Sequence, residues 1–185
     1  MNSNVIELLE ISPVIAAVRD DLFVNALASP VKIVFLLGAN VLTIRDRIAK
    51  AHQANKFIFI HLDLCEGIGK DKYAIEFLAQ CGADGIISTK SSIIKMAKER
   101  NLATVQRFFA FDSQGVESIK DTLKNSKPDV IEIMPGIIGK VIDRFSACGV
   151  PLIAGGLIET KQEVTNALGQ GAFAVSTGKE KLWYI

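Results

Sequence analysis

The chain has 185 residues, 49% of them hydrophobic and 22% charged, with a formal net charge of +1. This length and apolar content suit a single globular domain over residues 1–185 with a sizeable core. The near-zero charge gives no global field for nucleic acid or a membrane surface, so such a partner would have to be met by a local patch.

The three cysteines, Cys65, Cys81 and Cys148, are odd in number and widely spaced, and they read as reduced thiols of a cytoplasmic protein. The opening MNSNVIELLEIS lacks the positive start and long apolar core of a signal peptide. No apolar run is long enough to span a bilayer, so no membrane partner is expected.

Strand-like and helix-like runs alternate along the chain. Ile15 to Val18 reads as the first strand, ending at Arg19, and Asp21 to Ala28 as a short helix stopped by Ser29-Pro30. Val31 to Leu37 is the second strand. Thr43 is placed to cap the next helix, which would bury Ile44, Ile48 and Ala51. Phe57 to Leu62 is the third strand, ending in Asp63. The helix from Asp71 would bury Ala74, Phe77, Leu78 and Cys81. Gly85 to Ile87 is the fourth strand, ending at Ser88-Thr89. Ser91 or Ser92 would cap a helix with Ile93, Ile94 and Ala97 inward. Thr104 to Arg107 is the fifth strand, and Ser113 opens a helix with Val116, Ile119 and Leu123 on one face. Val130 to Met134 is the sixth strand, followed by a helix marked by Ile138, Val141, Ile142 and Phe145.

The last two strands are Leu152 to Ala154 and Ala172 to Val175. Gly155 and Gly156 follow the first of them. The helix between them opens with Thr160 and Glu163, the spacing of a capping box, and Gly169 and Gly171 suit its stop. Eight such units predict a compact TIM-type (β/α)8 barrel of α/β class, with short helices and loops. An open doubly wound sheet is the other arrangement of the same units.

In either fold ligands meet the carboxyl ends of the strands. The turns Gly155-Gly156 and Ser176-Thr177-Gly178 end the last two strands, where such barrels often hold a phosphate. They are either a phosphate cradle or ordinary tight turns. Arg19, Asp63, Ser88, Thr89, Gln106, Arg107 and Glu132 are polar groups at strand ends that a plain core would not want. A carboxylate inside an apolar strand is costly unless paired, so Glu132 should meet Arg19 or Arg107, as part of a site or as a structural ion pair. His61 and Asp63 have H-x-D spacing, but the other histidine, His52, lies on a helix, so no metal site is expected. Lys70 either reaches a ligand or helps start the helix at Asp71. Arg107 to Phe111 sets an arginine beside three aromatics, suited to stacking on bases or to lid and core packing. Two basic clusters, Lys95, Lys98 and Arg100, and Lys120, Lys124 and Lys127, are solvated helix faces or a footprint for a phosphate backbone.

The segments PVIAAVRD (13–20), VFLLGA (34–39), FIFIHLDLCEGIGKD (57–71), GADGIISTK (82–90), TVQRFFAFDS (104–113), KPDVIEIMPG (127–136), PLIAGGLIETKQEV (151–164) and AVSTG (174–178) run in order over nearly the whole chain. In them the chain resembles the glycerol-uptake operon antiterminator family. Two positions depart from the pattern: Lys90, where arginine is also common, and Gly178, where serine is common. The resemblance implies a TIM-type barrel that binds leader mRNA of glycerol-metabolism genes, with glycerol 3-phosphate as effector and no cofactor. Together with the strand-end pattern it makes Arg19, Asp63, Lys70, Arg107, Glu132, Gly155, Gly156, Ser176, Thr177 and Gly178 the candidate ligand-binding residues. It assigns no catalytic residue, no RNA-contacting residue and no oligomeric state, although a homo-oligomer would suit the role.

The competing reading is a small phosphosugar enzyme of aldolase, epimerase or glyceryl-phosphate transferase type. A Schiff-base aldolase needs a lysine inside the barrel, and the strands offer only Lys32, at the wrong end. Asp63 and Glu132 could serve as acid and base.

Overall fold

The structure is a computed structural model in which residues 3–110 and 113–185 are described. The chain runs α1 (Ser3–Ile11), β1 (Val14–Val18), α2 (Phe23–Ala28), β2 (Ile33–Leu36), β3 (Ala39–Asn40), α3 (Ile44–Gln53), β4 (Phe57–His61), β5 (Cys65–Glu66) and α4 (Lys72–Gln80). It continues through β6 (Gly85–Ser88), α5 (Ser91–Glu99), β7 (Ala103–Phe109), α6 (Ser113–Ser126), β8 (Val130–Met134), α7 (Gly139–Ser146), β9 (Leu152–Gly155), α8 (Lys161–Gly169) and β10 (Ala174–Thr177). Eight parallel strands close in the order β1-β10-β9-β8-β7-β6-β4-β2, while β3 and β5 pair outside the barrel. This is the TIM-type barrel expected from the alternation.

Side chains alternate along each strand and divide the core in two. Ile15, Ile33, Phe35, Phe59, Ile87, Val105, Val130, Ile153 and Ala174 fill the lumen. Their neighbours Ala16, Val34, Ile58, Ile60, Ile86, Ile131, Ile133 and Val175 face the helices. Val5 and Leu9 of α1 belong to the lumen cluster, so this helix, two residues before β1, closes the amino end of the barrel. The strand–helix alternation leaves no place for α1. Its signal is the i, i+4 spacing of Val5 and Leu9.

Several local expectations need correction. Thr43 precedes α3 but makes no side-chain cap. Asn40 instead closes the turn that leads into α3, its Oδ1 accepting from Leu42 N and Thr43 N at 3.0 and 3.1 Å. Neither Ser91 nor Ser92 caps α5. Lys90 is the N-cap residue, and Ser91 Oγ instead accepts from Gln106 Nε2 at 3.1 Å. In α4 Ile75 is buried, whereas Phe77 and Cys81 are half-buried. Strand β7 extends to Phe109. In α6 Ile119 and Leu123 are buried as expected, while the side chain of Val116 lies outside the described residues.

Two expectations near the last strands matter for the site. The capping box of α8 is present: Thr160 Oγ1 accepts from Glu163 N at 3.2 Å, and Glu163 Oε2 accepts from Thr160 N at 2.9 Å. Strand β10 begins two residues later than expected, so Ser176 and Thr177 lie within it rather than after it. An eighth outer helix is reduced to a 3-10 turn, Glu180–Tyr184, anchored where Trp183 Nε1 donates to Thr177 O at 2.9 Å. Among the described residues no helix is long and apolar enough to cross a membrane.

Candidate functional site

The parallel sheet puts every strand's carboxyl end at one mouth, where Arg19, Asp63, Glu132, Gly155 and Thr177 all lie. Just inside it, Arg107 and Glu132 are register partners on β7 and β8. They continue the inward rows begun by Val105 and Val130. Arg107 Nε donates to Glu132 Oε2 at 2.6 Å, and Ser176 Oγ donates to Oε1 at 2.5 Å. The Glu132 side chain is 1% exposed and that of Arg107 7%. Both carboxylate oxygens are therefore held, which a buried charge requires.

Ser176 reaches Glu132 across β9, which lies between their strands. Gly155 of β9 makes this possible: a Cβ there would sit 2.5 Å from Glu132 Oε1 and 2.6 Å from Ser176 Oγ. Gly155 thus leaves room for a hydrogen bond between side chains. Gly156, next along, has φ +75° and is followed by Leu157 at φ +60°. Two consecutive left-handed residues turn the chain sharply over the mouth, and the second is costly for a residue with a Cβ. Thr177 Oγ1 donates to Ile158 O at 2.8 Å and accepts from Lys179 N at 3.1 Å, tying the two terminal loops together.

These loops enclose a cavity of about 350 Å³. Arg107, Glu132, Gly156, Ser176, Thr177 and Gly178 line it, together with Ala17, Leu37, Met134, Leu157, Ile158, Glu159 and Lys179. Among the described residues its formal charges form two pairs, because Lys179 Nζ lies 2.9 Å from Glu159 Oε1 at the rim. That rim pair is half exposed and easily exchanged for another anion. The sequence reading missed Lys179 and Glu159. Their only signal is position, one residue after Gly178 and three after Gly156.

Four of the ten sequence candidates are not on this lining. Gly155 stands behind it. Arg19 is exposed, beside Gly38. Asp63 is fully used by the next strand end: it accepts from Ser88 Oγ, Thr89 N and Thr89 Oγ1 at 2.7, 2.7 and 2.8 Å. Burial alone would raise its pKa, but these hydrogen bonds outweigh burial and hold the carboxyl below the usual range. Lys70 Nζ donates to Cys65 O at 2.7 Å, within its own loop.

His61 sits inside the mouth, 4% exposed, and neither ring nitrogen has a hydrogen-bond partner among the described residues. Burial, then the Arg107 guanidinium, lowers its pKa from 6.5 to about 4. The ring is therefore neutral at physiological pH. Asp63 is engaged with Ser88 and Thr89, and among the described residues no three His, Cys, Asp or Glu side chains gather to hold a metal ion. The aromatic run after Arg107 splits by alternation: Phe108 packs into the helix layer and Phe109 is exposed, while Phe111 lies outside the described residues.

The sequence model of the family described as "Glycerol-3-phosphate responsive antiterminator" matches residues 14–183. The uncharacterized protein YgcP of Escherichia coli (strain K12) is 37% identical over 183 residues, 97% of this chain and 96% of that protein. The solved glycerol uptake operon antiterminator regulatory protein of Listeria monocytogenes str. 4b F2365 superposes with a TM-score of 0.87 at 32% identity, over 92% of this chain and 94% of that one. A glycerol uptake operon antiterminator-related protein of Thermotoga maritima MSB8 gives 0.84 at 33% identity, over 93% and 98%.

Proposed function

The chain belongs to the glycerol-3-phosphate responsive antiterminator family, and from that premise we propose that it is a cytoplasmic RNA-binding antiterminator of glycerol-metabolism genes, with glycerol 3-phosphate as its effector and no enzymatic turnover. One observation carries this reading: the mouth cavity has an anion-suited end and a hydroxyl-suited end. At one end the left-handed turn Gly156-Leu157 shares the lining with Gly178 and the Lys179 ammonium. Left-handed turns of this kind leave main-chain N–H groups free to face an anion. At the other end Glu132, clamped by Arg107 and Ser176, presents a fixed acceptor to a hydroxyl. A phosphorylated three-carbon polyol has both chemistries and fits the cavity's volume.

In this reading phosphate takes Lys179 from Glu159, and the polyol hydroxyls lie toward Glu132. The remaining residues of the cavity wall supply shape. A mouth this size admits a small anion and excludes a folded RNA, so leader mRNA docks on the exterior. A homodimer would double that exterior surface.

The phosphosugar-enzyme reading finds little support in the lumen. None of the ten described strands carries a lysine, so no amine stands there for a Schiff base.

The test is a titration of leader RNA with and without glycerol 3-phosphate. The reading expects tighter RNA binding with the effector, by a typical coupling of about 5–150-fold. Equal RNA affinity in both states overturns the effector role. Absence of RNA binding together with turnover of a phosphosugar favours the enzyme.

A further inference from the structure

A second concavity, of about 510 Å³, lies on the outer surface between α6 and α7. Its rim is cationic: Lys120 and Lys124, one turn apart on α6, face Arg144 of α7. Its floor is apolar, formed by Leu123, Ala147, Cys148 and Val150, and among the described residues no carboxylate lines it. Three cations thus line one groove in a chain of net charge +1.

The other basic cluster is tied to neighbouring elements. Lys98 Nζ donates to Lys127 O and faces Asp129 at 3.5 Å, and Arg100 pairs with Glu76 at 3.0 Å. In the groove, Lys124 pairs with Asp121 of its own helix, and both side chains are more than 70% exposed. Such a pair contributes little and yields readily to a phosphate. Rows of cations flanking an apolar floor suit a phosphodiester backbone, with phosphates on the rim and sugar or base edges over the floor.

The groove is also tied by topology to the mouth. Helix α6 follows β7, which carries Arg107, and α7 follows β8, which carries Glu132. The two strands holding the buried pair therefore lead directly into the two helices that form the groove. A ligand that shifts the pair by contact with Glu132 acts on strands that carry both walls.

We infer that the α6–α7 groove is the docking surface for the phosphodiester backbone of RNA, an inference that rests on the RNA-binding reading above. The probe is RNA selected from a random pool for retention by the wild-type protein with glycerol 3-phosphate. Its affinity is measured over a range of salt for wild type, for Lys120→Glu/Lys124→Glu/Arg144→Glu, and for the gentler Lys120→Gln/Lys124→Gln/Arg144→Gln. The control Lys32→Glu/Lys161→Glu/Lys181→Glu changes net charge equally, at exposed lysines away from the groove. Unchanged affinity for glycerol 3-phosphate without RNA certifies that each variant is folded.

The inference expects both groove variants to lose most of their RNA affinity. The slope of log affinity against log salt should fall by about 1 for each phosphate that no longer meets a cation, about 3 in all. The control should keep its slope. Groove variants that bind like wild type, or a control that weakens as much, overturn the groove while leaving RNA binding standing. Failure of the wild type to enrich any RNA overturns the RNA reading itself.

Discussion

Arg107 and Glu132 face each other on neighbouring strands, with the guanidinium Nε donating to the carboxylate at 2.6 Å in a setting that water barely reaches. The other carboxylate oxygen is taken by Ser176 at 2.5 Å. The pair spans the lumen side of β7 and β8 and fixes the deep wall of the mouth.

Removing one partner leaves a buried charge alone. Glu132→Ala should destabilise the fold by about 3–5 kcal/mol, measured by urea unfolding. Arg107→Met/Glu132→Leu removes both charges and should recover most of that loss, because a well-packed apolar pair is often neutral by comparison. A cost for Glu132→Ala below about 1 kcal/mol, the level of an exposed pair, would contradict the burial argument.

Two glycines of this chain should respond oppositely to alanine. At Gly155 the new Cβ meets Glu132 Oε1 at 2.5 Å and Ser176 Oγ at 2.6 Å. Gly155→Ala should cost about 1–3 kcal/mol by overpacking and should also weaken effector binding. At Gly169, the last residue of α8, nothing lies within 4 Å and φ is not left-handed. Gly169→Ala should be neutral or stabilising by up to about 1 kcal/mol. Equal effects at the two sites, in thermal unfolding and calorimetry, would remove Gly155 from its spacer role.

His61 predicts an acid limit. In the unfolded chain its imidazole takes a proton near pH 6.5, whereas in the fold, buried and beside Arg107, it resists until about 4. The unfolded state binds more protons in that window, so stability falls as pH drops from 6.5 toward 4 and is flat above it. The full difference is about 3 kcal/mol. His61→Phe should flatten the pH 4–6.5 window in urea titrations. Asp63, held below the usual carboxylate range by Ser88 and Thr89, contributes stability above its unfolded pKa. That contribution is lost as pH falls through its depressed folded value, so Asp63→Asn should cost stability at neutral pH and converge on wild type in acid, below the His61 window. A His61→Phe variant with the wild-type slope between pH 4 and 6.5 would contradict this assignment.

The rim pair predicts changes of opposite sign. Lys179→Gln removes the ammonium offered to phosphate and should weaken glycerol 3-phosphate binding. Glu159→Gln removes the competing carboxylate from Lys179 Nζ, 2.9 Å away, and should tighten it. Gly156→Val places a branched side chain at φ +75° with its Cβ 2.7 Å from Met134 Cε, and should abolish binding. Isothermal titration separates these outcomes. Equal affinities in all three variants would move the phosphate elsewhere.

The barrel was legible because strand and helix periodicities differ and alternate eight times. The Thr160–Glu163 box was legible because its chemistry is local to four residues. The site was legible only in part. Glu132 demanded a partner, and the sequence left Arg19 and Arg107 equal. Register decided it, since Arg107 is opposite Glu132 and Arg19 is not on the cavity. Gly155 looked like a phosphate glycine, because nothing in one dimension shows that Ser176 must pass over it. The two-residue offset of β10 hid Ser176 as an inward side chain: Ala172-Phe173 reads as strand but precedes the first paired residue. Lys179 and Glu159 stand in loops with no period to mark them, and their pairing exists only once both loops reach the mouth.

The most direct measurement is a crystal structure of the protein with glycerol 3-phosphate. The account predicts the phosphorus beside Gly156, Gly178 and Lys179, with Glu159 displaced from Lys179 and a ligand hydroxyl within hydrogen-bond distance of Glu132. A ligand bound with its phosphate outside this mouth, for example in the α6–α7 groove, or a mouth left unchanged with Glu159 still on Lys179, would contradict it.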